Sequence, residues 1–400
     1  MLSGSATLTT MSKPTPAVSA GARIHPDPEL SYTIPGHYYY DPAIFALEIE
    51  EIFLKTWQFA GYLSDLAHPG DYLTFRWLDQ NVVIVRGKDG QLRGFHNVCQ
   101  HRGHELIPDG NGNLAIFTCP YHAWSYDTQG RLKAAGNAEN VKLFDHSEFS
   151  LCEVRIEEFA HMVFVNFDDD APSLDSLAGA MAAEFRAAVP GFDELKLVRR
   201  DPYEFQANWK FIFDAMECYH CPHIHPQSGY GREDGFLEPS FEITAFPYWA
   251  RHVVRGNPDT IANKPENVPY ALDAAPEIKD VTIWWLWPNH FFMTHIGAPN
   301  FKVMHATPLG PAHSRETMDN FCLNDPPTDK DWAQIDRFRD LSQAQDIAPM
   351  EAQQRGIRSR AYTQGRLMVD GGRSWRSEHG VHHFHKLLWE TLNGPNYPPQ

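Results

Sequence analysis

Two short segments, each with one cysteine and one histidine, constrain this chain more than any other feature. One residue separates Cys99 from His101, and two residues separate Cys119 from His122. Thiolates and imidazoles at such spacings bind metals, because each pair forms one loop that brings two donors to the same side of a metal. Structural zinc usually takes Cys-x2-Cys or His-x3-His pairs, whereas one cysteine and one histidine on each loop fit a [2Fe–2S] cluster with unlike ligands on its two irons. The spacing therefore favours the cluster over zinc.

A small antiparallel β domain is predicted around these loops. The segment from Asp71 to Cys99 contains three short runs of β-branched and aromatic residues, separated by the turn-forming sequences DQN and KDGQ. Gly103 and Pro120 are small or turn-forming residues that let backbone amides approach the sulfur atoms. Upstream, Asp41 and Pro42 predict the N-cap and first residue of a helix.

The second half of the chain predicts an α+β layout. We expect an Ala-rich helix in SLDSLAGAMAAEFRAAV, a helix from Asn208 to Tyr219, strands within 241–255 and 281–322, and a polar helical region from Asp329 to Arg360. A chain of 400 residues is longer than a single hydrophobic core usually accommodates, so two domains are expected. The predicted organisation is a disordered tail over 1–22, an N-terminal segment over 23–54 that packs on the second domain, a β domain over 55–168 and the second domain over 169–400.

Charge and composition exclude several classes of partner. The formal net charge of −17 argues against nucleic acid and anionic membranes, because both repel an acidic surface, and favours a basic redox partner. Six cysteines are too few for a disulfide framework in a chain of this length. The sequence contains neither an apolar run long enough to span a membrane nor the apolar stretch of a secretory signal, so we expect a cytoplasmic protein.

A second group of metal donors lies in the sequence NWKFIFDAMECYHCPHIHP. On a helix Glu217 and His220 would share a face, whereas His225 would point roughly 140° away from His220. Pro222 disfavours helix at Cys221, so we expect the helix to end there and His225 to turn towards His220. Two histidines and one carboxylate that leave coordination positions open are typical of non-haem Fe(II) oxygenases.

The two groups of donors together resemble a known family. The sequence CQHRGHEL…CPYHAWSYD is similar to the cluster-binding motif of Rieske non-haem iron oxygenases, which implies that Cys99 and Cys119 hold one iron and His101 and His122 the other. The resemblance extends through the second motif and LSQAQDIAPMEAQQRGIRS. There it implies a mononuclear iron held by His220, His225 and Asp346. The implied fold is a small antiparallel β Rieske [2Fe-2S] domain plus a larger helix-on-antiparallel-sheet catalytic domain of the helix-grip, START-like type.

The same resemblance gives Glu217 a role in electron transfer. In this family the corresponding position is often Asp, and it connects a cluster histidine of one subunit to an iron histidine of the next. The implied path runs from His122 through Glu217 to His220 and implies a homotrimer. Glutamate here changes the reach of the side chain by one methylene.

The resemblance also implies the reaction and its co-substrates. Dioxygen is the co-substrate, and NAD(P)H supplies electrons through a separate flavin or ferredoxin-type reductase, because the chain has no flavin or nicotinamide fingerprint. The sequences ECYHCPHIHP, RGIRSRAYTQGRLMVD and SEHGVHHFHKLLW resemble the quaternary-amine branch, with glycine betaine, proline betaine (stachydrine), carnitine and choline oxygenases. We therefore expect hydroxylation of an N-methyl group of glycine betaine or proline betaine, with loss of formaldehyde. The alternatives are an aromatic ring-hydroxylating dioxygenase alpha subunit and, in another class, a non-catalytic Rieske electron-transfer protein.

Other conspicuous residues are expected to be structural. The tract EHGVHHFH from Glu378 to His385 looks like a zinc site, but one complete iron set has already been identified. Cys218 and Cys221 are interpreted as buried small residues, and scattered histidines as satisfied core or surface residues, among them His252, His290, His295 and His305. The aromatic residues of VTIWWLWPNHFFM are expected to be mostly core, with one or two facing a pocket where an aromatic ring attracts a quaternary ammonium ion. These are Trp284, Trp285, Trp287, Phe291 and Phe292.

Overall fold

The computed structural model describes residues 22–215, 217–228, 230 and 232–397, apart from the side chains of Ser228, Leu341 and Ser342. Nearly all of the predicted tail over 1–22 therefore lies outside the described residues. Two seven-stranded antiparallel sheets dominate the structure, and most of the helices accompany the second sheet. The predicted α+β class, a small β domain plus a larger helix-on-sheet domain, is confirmed.

The first sheet and a small sheet beside it each carry one of the two cysteine loops. The strand order of the first sheet is β1-β10-β9-β4-β3-β2-β5, and that of the small sheet is β6-β7-β8. The first cysteine loop follows β4, and the second connects β6 to β7. The three strands predicted within 71–99 are β2, β3 and β4. The strands are β1 Gln58–Tyr62, β2 Asp71–Trp77, β3 Gln80–Arg86, β4 Leu92–His96, β5 Asn111–Asn113, β6 Phe117–Thr118, β7 Ser125–Tyr126, β8 Leu132–Ala134, β9 Glu153–Phe159 and β10 Met162–Asn166.

Strand β3 separates two cores. Val82 and Ile84 belong to the large core that is shared with the second sheet. Val83 and Val85, on the opposite face, pack in a smaller core that contains Cys99 and Cys119. Because side chains alternate across a strand, four consecutive buried residues mean that both faces of β3 are covered.

The second sheet has the strand order β11-β17-β16-β15-β14-β13-β12. Strands β12 to β17 confirm the strands predicted within 241–255 and 281–322. Strand β11 was not predicted. It contains Pro202 and lies at the edge of the sheet, where the missing amide of proline is tolerated. The strands are β11 Lys196–Phe205, β12 Glu242–Ala245, β13 Trp249–Arg255, β14 Asp280–Leu286, β15 His290–Thr294, β16 Asn300–Gly310 and β17 His313–Cys322.

The helices predicted at Asp41 and within 329–360 are present, whereas the helices Pro258–Asn263 and His379–Asn393 were not predicted. Asp41 caps the first helix by accepting a hydrogen bond from the Ala43 amide. Gly179, at φ 55°, divides the predicted Ala-rich helix into two. No described helix is both long and apolar enough to cross a membrane. The helices are α1 Pro42–Glu48, α2 Leu174–Ala178, α3 Met181–Ala188, α4 Lys210–Asp214, α5 Cys221–Ile224, α6 Pro258–Asn263, α7 Asp329–Arg337, α8 Ala344–Gly356 and α9 His379–Asn393.

Short helices of other types complete the structure. A π-helical segment, Ile49–Phe53, extends α1, and another, Phe338–Gln343, joins α7 to α8 in the helical region predicted from Asp329. The 3-10 helices are Pro28–Leu30, Gly36–Tyr39, Leu63–Leu66, Ala138–Asn140, His146–Phe149, Phe192–Glu194, Pro226–Ser228 and Pro265–Asn267.

The prediction of one helix from Asn208 to Tyr219 is wrong about where the helix ends. Helix α4 ends at Asp214, and Pro222 lies in the first turn of α5, so it begins a helix instead of ending one. Between the two helices the Glu217 carboxylate accepts hydrogen bonds from the backbone amides of Tyr219 and His220. A carboxylate that satisfies these amides offers the backbone an alternative to the helix.

The N-terminal segment contacts the second domain through buried polar groups. The Glu48 carboxylate accepts hydrogen bonds from Lys210 Nζ at 2.5 Å and from Trp209 Nε1 at 2.9 Å. Both charged side chains are fully buried. The Tyr39 hydroxyl donates to Asp214 at 2.5 Å. Segment 23–54 is thus held against α4, while the predicted domain boundaries remain predictions.

We expect the Lys210→Met variant to be destabilised by roughly 3–5 kcal/mol, because it leaves the Glu48 carboxylate buried without its cation. The matched control is the exposed Lys55→Met, whose partner Glu51 lies four residues earlier in the chain. That change should cost less than about 1 kcal/mol. Urea unfolding followed by tryptophan fluorescence measures both. Equal shifts of the two midpoints would contradict a special role for the buried pair.

Candidate metal centres

The two cysteine loops have matching backbone geometry. The Cys99 amide donates to the His104 carbonyl at 2.8 Å, and the Cys119 amide donates to the Trp124 carbonyl at 2.8 Å. In each loop the residue four positions after the cysteine has a positive φ, 72° at Gly103 and 57° at Ala123. Those two residues also donate their amides back to the cysteine carbonyls, at 3.0 and 2.9 Å. The loops are therefore similar turns that present their side chains to a common point.

The donors of these loops form a buried pair and an exposed pair. Cys99 and Cys119 are buried in the smaller core. The rings of His101 and His122 are exposed, and their centroids lie 4.8 Å apart. Trp124 stacks on His101 with centroids 4.7 Å apart. The four donors predicted from the sequence are thus brought together, with thiols inside and imidazoles outside.

Tyr126 contributes a hydrogen bond that the sequence did not predict. Its hydroxyl lies 3.3 Å from Cys99 Sγ and accepts the Gln100 amide at 3.1 Å. Because the amide supplies one proton, the tyrosine proton is free to point at the sulfur. Hydrogen bonds to ligand sulfurs stabilise the more negative, reduced state of an iron–sulfur cluster.

The spread of the four donors fits a two-iron cluster better than one ion. In a tetrahedral zinc site, donor atoms would lie roughly 3.5 to 4 Å from one another. Among the described residues, the only His, Cys or acid set with donors within 4.8 Å of one another is His220, His225 and Asp346. No three of the four Cys and His donors of the two loops lie within that distance of one another, so they do not form a single-ion site, and a division of the ligands between two irons fits them better.

The second centre is built around the short helix α5. His220 precedes this helix, His225 follows it, and Asp346 lies in the first turn of α8. Asp346 Oδ1 lies 3.0 Å from His225 Nε2 and 3.7 Å from His220 Nε2. The structure therefore brings together the three residues that the resemblance implied as iron ligands.

Neighbouring acceptors fix the orientation of both histidines. His220 Nδ1 donates to Glu217 Oε1 at 2.7 Å, and His225 Nδ1 lies 2.8 Å from Gln345 Oε1, which can only accept. With Nδ1 protonated in each neutral ring, both Nε2 lone pairs face the Asp346 carboxylate. Burial by itself lowers the pKa of His220, but the hydrogen bond and charge of Glu217 and the charge of Asp346 raise it overall. Three electron-pair donors at this separation fit a divalent cation with open coordination positions.

A cavity of about 230 Å³ adjoins this centre. His220, His225 and Asp346 form part of its wall, and six aromatic side chains form much of the remainder. Of the five aromatic residues singled out in the sequence, only Phe291 lines the cavity, and the others are buried in the core as expected. The aromatic lining consists of Tyr230, Phe236, Phe241, Tyr270, Phe291 and Phe338.

The sequence analysis missed several polar residues of the cavity wall. Glu316 on β17 is 1% exposed, and burial together with the charge of Asp346 raises its pKa to about 8. Arg337 at the end of α7 and Gln334 one turn earlier also line the cavity. Glu316 could have been predicted from the sequence, because it is a carboxylate at an inward-facing position of a strand. Nothing in the local sequence indicated Arg337 or Gln334.

The interpretation of His295 and His252 as satisfied histidines is wrong. Both line the same cavity, and the Nδ1 atom of each is buried without a hydrogen-bond partner among the described residues. Burial and the charges of Lys302 and Arg337 hold the pKa of His295 well below the usual value. His295 is thus a neutral imidazole that faces the cavity.

Two histidines of the tract have hydrogen-bond partners in the core. His385 Nε2 lies 2.8 Å from Asp214 Oδ1, and His382 Nε2 lies 2.9 Å from the His25 carbonyl. Both rings are buried in α9. Cys218 is buried as expected, whereas Cys221 is half-buried, and both are free thiols that line the cavity.

Comparison with known proteins agrees with this architecture. The model of the ring hydroxylating alpha subunit catalytic domain matches residues 192–394, and that of the Rieske [2Fe-2S] domain matches residues 56–145. The carnitine monooxygenase oxygenase subunit of Escherichia coli (strain K12) is 34% identical over 372 residues, which are 92% of this chain and 95% of that protein. The chloroplastic choline monooxygenase of Spinacia oleracea is 27% identical over 373 residues, 91% of this chain and 79% of that protein. A solved quaternary ammonium Rieske monooxygenase in complex with its substrate L-carnitine has a TM-score of 0.77 at 31% identity, covering 91% of this chain and 97% of that chain.

We expect Asp346→Ala to lose the mononuclear iron and turnover but to keep the visible absorption of the cluster, because the Cys and His loops belong to the other domain. The control is Asp340→Ala, an exposed acid on the preceding helical segment. Iron analysis, visible spectra and oxygen uptake measure the outcome. Loss of the cluster absorption in the Asp346 variant alone would contradict the assignment of Asp346 to a separate iron site.

Proposed function

The chain belongs to the alpha subunits of Rieske non-haem iron oxygenases, in their quaternary ammonium branch, and from this membership we propose that it hydroxylates an N-methyl group of a small betaine. As a member of this family it is an oxidoreductase with a [2Fe–2S] Rieske cluster and a mononuclear iron. The electron-carrier alternative is excluded, since a carrier needs no catalytic domain. The proposal concerns the substrate, the site of oxidation and the roles of individual residues.

The composition of the cavity is the observation that carries the substrate proposal. A quaternary ammonium ion has no hydrogen to donate, so it is held by aromatic faces and by negative charge. Six aromatic rings line the cavity, and the carboxylates of Glu217 and Asp346 place negative charge in its wall, whereas the buried Glu316, whose pKa is raised to about 8, adds a polar but largely protonated carboxyl group. A ring-hydroxylating enzyme would be expected to have a broad apolar cavity, which does not need Glu316 and Arg337.

We assign the ligands according to the geometry of the two centres. Cys99 and Cys119 would hold one iron of the cluster, and His101 and His122 the other. His220, His225 and Asp346 would hold the mononuclear iron. When bound, these groups pass single electrons and activate dioxygen. Glu217 and Gln345 keep the two iron histidines in the tautomer that binds metal, and the aromatic wall excludes water from the reacting methyl group.

The proposed reaction consumes one dioxygen, two electrons and two protons for each N-methyl group. One oxygen atom enters a C–H bond and gives N–CH2OH, and the other leaves as water. The C–N bond then breaks, with the bonding pair remaining on nitrogen and the hydroxyl proton released. The products are formaldehyde and the demethylated amine. A reductase that takes electrons from NAD(P)H must supply the reducing equivalents.

Glu217 is proposed as the electron-transfer bridge between subunits of a homotrimer. Its carboxylate already contacts the Nδ1 atom of the iron histidine His220. His122, the cluster histidine of the proposed path, is exposed on its own domain and thus available to a second copy of the chain. The bridge is therefore proposed to run from His122 of one copy through Glu217 to His220 of the next.

We expect Glu217→Gln to keep both metals but to slow electron transfer from the reduced cluster to the iron at least tenfold, because a neutral amide accepts the hydrogen bonds of the two histidine ligands more weakly than a carboxylate does. Stopped-flow reoxidation of the cluster in the presence of substrate and oxygen measures this rate. Glu233→Gln, an exposed acid, is the control. A wild-type rate in the Glu217 variant would remove the bridging role.

Oxygen uptake combined with formaldehyde detection tests the proposed reaction. The panel is glycine betaine, proline betaine, L-carnitine, choline and benzoate, with a ferredoxin-type reductase and NADH. We expect formaldehyde in step with oxygen for a betaine. Carnitine is the second candidate substrate because of the similarity to carnitine monooxygenase. Oxygen uptake without formaldehyde would place the oxidation on another carbon, and uptake with benzoate alone would support ring hydroxylation.

A further inference from the structure

The end of the cavity formed by Arg337, Gln334 and His295, here called the donor cluster, contains nitrogen atoms without partners. All three residues line the cavity. Arg337 Nη1, Gln334 Nε2 and His295 Nδ1 are buried, and none has a hydrogen-bond partner among the described residues. A buried polar atom without a partner costs about 1–3 kcal/mol, and more when it is charged.

Arg337 is notable because its charge has no counter-ion. No described carboxylate forms an ion pair with its guanidinium, although the neighbouring Arg339 pairs with Asp336 and Asp340. Burial lowers the pKa of Arg337, and the Tyr270 hydroxyl counteracts this effect. A guanidinium offers five donors in a planar fork that matches a carboxylate.

The orientation of Gln334 follows from its own hydrogen bond. Lys302 Nζ lies 3.3 Å from Gln334 Oε1. An ammonium group can only donate, so this contact assigns the oxygen to the Lys302 side and leaves the amide NH2 as the unpaired group. Lys302 is itself buried, and its second hydrogen bond is to Asn320 Oδ1 at 3.0 Å. Burial lowers the pKa of Lys302 to about 7, so this side chain contributes a hydrogen-bond donor behind the donor cluster and not a permanent positive charge.

Arg337 of the donor cluster and the proposed iron ligand Asp346 lie on one helical run. Arg337 ends α7, the π-helical segment Phe338–Gln343 follows, and Asp346 lies in the first turn of α8. Nine positions along the chain separate the two residues, so their side chains lie on different turns of this run. The carboxyl groups of the cavity, Glu217, Glu316 and Asp346, contribute none of the electrostatic effects on Arg337. The cavity thus has an acidic region at the metal and a donor region beside Arg337.

We propose that the donor cluster binds the carboxylate of a zwitterionic substrate and so selects betaines over choline. This inference rests on the proposed function, because it assigns the anionic end of the quaternary ammonium substrate. With the carboxylate on Arg337, the N-methyl groups point towards the aromatic and acidic part of the wall. Arg337 is a specificity-determining residue in this arrangement, and Gln334 and His295 complete the donor set.

Binding to the anaerobic holoenzyme tests the proposal without turnover. Isothermal titration calorimetry compares glycine betaine with tert-butylacetate, which has the same shape and carboxylate but no positive charge, and with choline, which has no carboxylate. We expect Arg337→Met to weaken binding of both carboxylates at least tenfold, equivalent to about 1.4 kcal/mol. Arg337→Lys keeps the charge but loses the fork, so it should give a smaller loss. Arg339→Met is the matched control outside the cavity and should bind like the wild type.

The outcomes separate this proposal from the proposed function. Unchanged carboxylate binding in Arg337→Met, an equal loss of choline binding, or no carboxylate binding by the wild type would each overturn the assignment. In turnover, the ratio of kcat/KM for glycine betaine to that for choline should fall at least tenfold in Arg337→Met, mainly through KM. A wild type that oxidises no quaternary ammonium compound would refute the proposed function, while carboxylate binding dependent on Arg337 would still support the donor cluster.

Discussion

The convergence of His220, His225 and Asp346 is the constraint on which the catalytic half depends. Three electron-pair donors within 4.8 Å of one another repel unless a cation lies between them. The chain holds this arrangement by interrupting regular structure on both sides. The helical segment that begins at Lys210 stops at Asp214 and restarts at Cys221, and a π-helical segment precedes Asp346. Such π-helical turns are frequent at functional sites.

Buried charges in the second domain have two different functions. Those with partners, such as Glu48 with Lys210, hold the N-terminal segment against α4. Those without a complete set of partners, such as Glu316 and Arg337, lie in the cavity wall. Because an unpaired buried group costs free energy, its retention beside a cavity is explained by a ligand that pairs with it. Buried polar side chains with complete hydrogen bonding thus hold the fold together, whereas those with incomplete hydrogen bonding line the cavity.

The two proposed centres differ in their exposure. The cluster thiols are covered by the small core behind β3, whereas His101 and His122 face outward. His220, the proposed iron ligand, is half-buried, and its Nδ1 atom contacts Glu217, the proposed bridge residue. This difference suits their chemistry, because electrons must enter from another protein while the reacting carbon must be kept away from water.

Local spacing in the sequence was sufficient to predict the three strands around the first cysteine loop and most strands of the second sheet, and it marked the two Cys and His loops as candidate cluster ligands. Turns and short ligand pairs are formed by residues close together in the chain, so their pattern is readable without a structure, whereas Asp346 lies far from His220 and His225 in the chain and was implied only by the family resemblance. The extent of α4 was wrong because the Glu217 side chain satisfies backbone amides that the helix would otherwise use. Only the tertiary structure determined that His295 Nδ1 lacks a hydrogen-bond partner among the residues that the structure describes. It also determined that His295, Glu316, Gln334 and Arg337 line the same cavity. These residues come from two strand regions and a helix, and a buried donor lacks a partner only when every neighbour that packs around it fails to provide one.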